Sequence, residues 1–140
     1  MIAEILTRLT NAAPALTSVE FAEDIDGLVN ATQRDSGAAF VVPFRERARP
    51  SPVMTAGHRQ MVSVQFLVAF VSRNYADDLG AHRVADFSLW KGQIEQALAG
   101  WTPASGVDPC ELVGGESSPL GTGVSIYVQT WETSRLLTGA

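Results

Sequence analysis

Val62, Val64, Phe66, Val68 and Phe70 fall at every second position, and a period of two places all five on one face of an extended strand. The opposite face begins polar with Ser63 and Gln65, then turns apolar with Leu67, Ala69 and Val71. This pattern predicts a strand over Gln60 to Arg73, buried along one face and covered on both sides over one half. At ~3.3 Å per residue it would run for more than about 30 Å, well beyond the usual length of about 5 to 6 residues. Such a strand is expected to reach past the core of its own subunit.

The remaining segments supply partners for that strand. Ile2, Ile5, Leu6 and Leu9 form one apolar stripe at helical spacing and predict a helix of about three turns that stops before Pro14. Ser18 to Phe21 is a short strand candidate, and Asp24 is placed to cap a second short helix carrying Ile25, Leu28 and Val29. After a polar turn at Gln33 to Gly37, Ala38 to Phe44 predicts a strand ending in or just after Pro43. Tyr75 to His82 is a turn region. Val84, Phe87, Trp90 or Lys91, Ile94 and Leu98 then stripe the principal helix, which Gly100 can close. Glu111 to Val113 predicts a short strand, Gly114 to Gly123 a flexible turn, and Val124, Ile126 and Val128 a last strand ending near Leu136. Strands that follow one another without helices between them favour antiparallel pairing. The expected class is α+β, a mainly antiparallel sheet of four to five strands with helices packed on one face.

With 140 residues, 46% of them hydrophobic, the chain can fill one core, and residues 1–140 are expected to form a single domain. The charged fraction of 18% is low, leaving much surface to small neutral residues, as in assembling proteins. A net charge of -5 argues against a dedicated nucleic-acid binder. Cys110 is the only cysteine, which excludes an intramolecular disulfide and a thiolate zinc site, and fits a reducing compartment. No signal-peptide layout surrounds Glu4 and Arg8, and the apolar run Phe66 to Val71 is far short of the ~20 residues of a bilayer span. Neither classical export nor membrane embedding is expected.

No catalytic, metal or cofactor set emerges. His58 and His82 belong to no ligand-spaced cluster. Asp24, Asp26 and Gly27, and likewise Asp77 and Asp78, lack the closing Glu of a calcium loop and suit capping and turns. Gly114, Gly115, Gly121 and Gly123 lack the Lys-Ser/Thr pair of a phosphate loop, and Cys110 lacks the signature of an activated nucleophile. A charge feature remains. Arg45, Arg47, Arg49 and Arg59 against Glu46 give residues 45–60 a net +3, whereas 1–44 and 61–140 each carry -4. With Pro50, Pro52 and Gly57 and no period, 45–60 reads as a long basic loop or arm. It could face solvent, DNA, or the acidic surface of a second subunit.

The helix end Ile94-Glu-Gln-Ala-Leu-Ala-Gly-Trp-Thr-Pro103 leads into a short strand, a Gly-rich loop and the closing strand Val124-Ser-Ile-Tyr-Val-Gln-Thr-Trp-Glu132. Together with the Val62 to Phe70 strand and the N-terminal helix, this pattern resembles the tail terminator family of long-tailed bacteriophages, the minor tail protein U-like or gene-37-product-like proteins. The resemblance covers nearly the whole chain. It implies a virion protein of the head-tail junction without catalysis or cofactor, forming a homo-hexameric ring that caps the tail tube and stops its polymerisation. The tube protein and a head-completion or neck protein would be its partners, and DNA passage through the ring lumen is left open. Arg45, Arg47, Arg49, His58, Arg59 and Trp101 are the candidate interface residues, Trp101 serving either as a buried anchor of the main helix or as an interface hot spot. Two competing readings are another neck or head-tail connector protein, and a small enzyme or ligand-binding domain using 45–60 as a lid.

Overall fold

The structure, a computed structural model, describes residues 1–24, 35–52, 57–73, 81–121 and 123–139, with backbone alone at 81–83, 120 and 121. The described elements are α1 (Ile2–Ala12), β1 (Ser18–Phe21), β2 (Ala38–Ala48), β3 (His58–Arg73), α2 (Ala81–Leu98), β4 (Glu111–Gly121) and β5 (Val124–Gly139). The five strands form one sheet in the order β1-β2-β3-β5-β4. β1 runs parallel to β2, and every other pairing is antiparallel. The expected second short helix at 25–29 and most of the turn at 75–82, with Asp77 and Asp78, lie outside the described residues.

β3 sits at the centre of the sheet, as its alternation requires. Its side Phe66, Val68 and Phe70 joins Ala39, Val41 and Trp131 in a core that takes in Ile5 and Leu9 of α1 and Trp90, Ile94, Ala97 and Leu98 of α2. Both helices therefore cover the same face. Phe70 anchors an aromatic group there, 5.3 Å from Phe87, 5.7 Å from Trp90 and 5.5 Å from Tyr127 between ring centroids. On the opposite face Leu67, Ala69 and Val71 are buried with Ala38, Phe40, Val42 and Ile126. The double-sided burial expected for half of β3 is present in its C-terminal half.

Two short links fix how the helices meet the sheet. Gly37 has φ of +88°, and a Cβ there would lie 2.9 Å from the Trp90 ring, so α2 rests on a position only glycine can fill. Gly100, with φ of +80°, ends α2, and Arg8 of α1 donates from Nε to the Ala97 carbonyl at 2.8 Å, capping the same helix end. The chain then folds back, with Cys110 N donating to Trp101 O at 2.8 Å and Gly100 N to Cys110 O at 3.0 Å. Among the described residues no helix is long and apolar enough to cross a membrane.

Four strands depart from the bounds expected from sequence, β3 by starting at His58 rather than Gln60. β2 does not end at Pro43 but continues to Ala48, because a register shift between Pro43 and Arg45 sets Phe44 aside as a bulge. β1 pairs only as far as Val41, so beyond it β2 is an edge, where proline and bulges are tolerated. The supposed loop of 45–60 is consequently strand at 45–48 and at 58–60. The supposed flexible turn at 114–123 is strand through Gly121, paired with β5. β5 itself continues to Gly139, past the expected end near Leu136.

Candidate assembly surface

The extra strand length builds a three-stranded ribbon from Arg45–Ala48, His58–Gln65 and Glu132–Gly139. β3, with 16 residues, spans roughly 50 Å at ~3.3 Å per residue, and burial lapses at its N-terminal end. The last six residues of β2, the first two of β3 and the last four of β5 are all exposed. This is where the overlong strand leaves the core.

Alternation along the ribbon sorts its charges. Arg45 lies opposite Gln65 and Arg47 opposite Ser63, while Arg49 N donates to Met61 O at 2.9 Å. Gln65 and Ser63 share a face with Leu67, so all three arginines project from the face away from the helices, and Arg59, two residues from Met61, joins them. Arg45 Nε donates to Gln65 Oε1 at 2.7 Å, and Gln65 Nε2 donates to Glu132 Oε1 at 3.3 Å. The Arg45 guanidinium also stands 5.0 Å from the Phe44 ring centroid. Arg47, Arg49 and Arg59 are exposed and make no ion pair with a described residue. Glu46 points to the other face and holds Arg135 with two bonds of 3.0 Å. Those bonds from Arg135 keep the Glu46 carboxyl below the usual carboxylate range and hold it on the face opposite the arginines.

The six candidates therefore do not form one site. Four arginines share one face of the ribbon. His58 lies across from Gly139 on the helix side and bonds Gln60 Oε1 at 2.7 Å. Trp101 lies on the helix side as well, half-buried against the core, with the Arg8 guanidinium 5.5 Å from its ring centroid. It walls an open cavity of about 560 Å³ with Glu4, Thr7, Asn11 and Thr102. Glu4 accepts from Ser105 N at 3.0 Å, tying the 101–110 loop to α1. Trp101 is thus both a packing anchor and a surface residue.

Sequence reasoning placed a strand at Glu111 to Val113 but missed that β4 continues to Gly121. Each side chain from Glu111 to Pro119 is exposed, and no described residue pairs with the strand's outer edge. Glu111 sits opposite Glu132, and Glu116 opposite Val128. Both partners lie on the face of the sheet that carries the arginines, opposite Gln65 and Ala69 of β3. Leu112 and Val113 of the same strand stay 45% and 55% exposed.

Cys110 is buried, and its thiol is pushed up to about 11 by that burial, with the neighbouring Thr133 side chain working against the shift. A thiol so protonated is a poor nucleophile. Thr133 Oγ1 donates to Asp108 O and Ser134 Oγ to Asp108 Oδ2, both at 2.6 Å, so the neighbouring loop is pinned to β5.

The family model for phage tail terminator protein matches residues 2–139. In fold the chain is similar to a chain in a solved structure described as the virion of a native gene transfer agent (GTA) particle. The TM-score is 0.63 at 11% identity, with 98% of this chain and 95% of that chain covered. No curated protein matches in sequence.

Proposed function

Because the chain belongs to the phage tail terminator family, a structural component of the virion tail, we propose that it forms a ring, with six copies as the count, that caps the tail tube and halts its growth. The opposite face of the ring receives the head-completion or neck protein, and DNA passes through the lumen. The observation that carries this reading is the ribbon of β2, β3 and β5, which leaves its own core and presents four arginines on one face. A closed ring needs two unlike patches on each subunit. The basic ribbon is one, and the acidic remainder of a chain with net charge -5 supplies the other. The fold shared with a chain of a gene transfer agent virion agrees with a place in a virion.

Mass in solution tests the ring. Native mass spectrometry or light scattering is expected to give a closed oligomer of one size, six times the monomer mass, that loosens as salt rises and screens the charges. A monomer at every concentration, with or without tail tubes present, would contradict the ring.

A further inference from the structure

The ring reading leaves open how neighbouring copies join, and resting on that reading we propose that they join by strand addition. The basic edge of β2 in one copy pairs antiparallel with the outer edge of β4 in the next, so that the sheet continues from subunit to subunit.

Both edges are open. β1 covers β2 only through Val41, leaving Val42–Ala48 without a neighbour among the described residues on that side. β4 offers 11 residues with nothing described on its outer side. A long exposed edge with Leu112 and Val113 in it is one that soluble proteins normally blunt or cover, and a second strand covers it with main-chain hydrogen bonds.

Charge placement selects the partner. Arg45, Arg47 and Arg49 and the glutamates Glu111 and Glu116 lie on the same face of the sheet at its two opposite edges. Rotation about an axis along the strands keeps that face on the same side in each copy, so the arginines of one meet the glutamates of the next. The spacing agrees. Arg45 and Arg49 stand four positions apart on one face. Glu111 and Glu116 are also four steps apart along β5, opposite Glu132 and Val128, because the shift between Leu112 and Gly114 absorbs one residue. An antiparallel register then sets Arg45 against Glu116, Arg47 against Gly114 and Arg49 against Glu111. Opposite charges directly across strands are favourable and like charges unfavourable. Pairing β4 with β4, or β2 with β2, about a twofold axis would set acid against acid or base against base. The edges thus favour head-to-tail joining, the kind that closes into rings.

Paired cysteines at Arg47→Cys and Gly114→Cys test this register. Arg47 is exposed, a Cβ on Gly114 meets nothing within 4 Å, and the native Cys110 is buried. Mild oxidation of the assembled double variant is expected to give a covalent ladder of subunits up to the full ring, while each single variant gives none. An oligomer of wild-type mass without intersubunit disulfides overturns the strand pairing and leaves the ring intact. Absence of any oligomer in the wild type removes the ring as well. Efficient dimers from Gly114→Cys alone would show β4 pairing with itself, which also overturns the proposal.

A charge exchange checks the result without cysteine. Arg45→Glu with Arg49→Glu, or Glu111→Arg with Glu116→Arg, should each weaken association by about 100-fold or more, given like-charge costs of several kcal/mol across an interface. All four changes together should restore it to within about tenfold. Failure of the combined variant to recover, with each variant folded, contradicts the register.

Discussion

Trp131→Ala is expected to destabilise the fold by about 3 to 5 kcal/mol, the range for removing a large aromatic side chain from a core. Trp131 is 0% exposed and stands opposite Phe66 of β3 and Leu112 of β4, at the level where the sheet passes from core to ribbon. Its indole Nε1 donates to Gln129 Oε1 at 3.2 Å. Gln129 is 1% exposed, and its Nε2 has no hydrogen-bond partner in the structure. Alanine would leave the whole buried amide unsatisfied beside a cavity, and each such loss adds to the other. Domains of this size carry about 5 to 15 kcal/mol in all. The urea midpoint should therefore fall sharply while the slope stays unchanged. Trp131→Phe keeps most of the volume and loses only the donor, so its cost should be smaller. A loss below about 1 kcal/mol for alanine would show that Trp131 does not bridge core and ribbon as described.

Arg45→Glu, Arg47→Glu and Arg49→Glu combined are expected to leave the fold standing and abolish assembly. The three side chains are exposed on strand that lies beyond the core. Of the three, Arg45 alone has described contacts to lose, a hydrogen bond to Gln65 and the stack on Phe44. The donor is a charged guanidinium, but the bond is exposed to solvent, so its loss costs about 0.5 to 1.5 kcal/mol. At the interface the same substitutions turn two attractions, Arg45 with Glu116 and Arg49 with Glu111, into repulsions at a cost of several kcal/mol, and set a further negative charge opposite Gly114. Circular dichroism should be unchanged and the midpoint of thermal unfolding within a few degrees of wild type, while the oligomer disappears. Wild-type assembly by the triple variant would return this face to ordinary solvated surface.

These two residue sets show unequal legibility in sequence. The stripe of α1 and the alternation of Val62 to Phe70 both report burial, and burial is periodic, so the α+β class, the one-sided helices and the overlong strand could be read directly. Pro43 misled because proline signals an end only where its missing N–H breaks a ladder. Here it sits at a bulge on an edge, and the strand resumes at Arg45. Gly114 to Pro119 misled for a related reason, since glycine and serine promise little strand by themselves. Pairing with β5 imposes the extended form, and at Gly115 a Cβ would crowd the Tyr127 ring, with Cζ at 2.9 Å. The arginines were visible as a charge cluster. Their common face was not, because it depends on where a bulge resets the alternation. His58 was grouped with them by proximity in sequence and separates from them by strand parity. Glu116, in a segment read as a turn, was invisible as a partner until β4 was known to run to Gly121.

Family membership gives the tail role, and the capping activity is what remains to be measured most directly. Electron microscopy of particles assembled without this protein tests it. Tails that outgrow their normal length and stay unjoined to heads are the predicted result, with length control and joining restored by the wild-type protein and not by the triple arginine variant. Tails of normal length joined to heads in its absence would contradict the account.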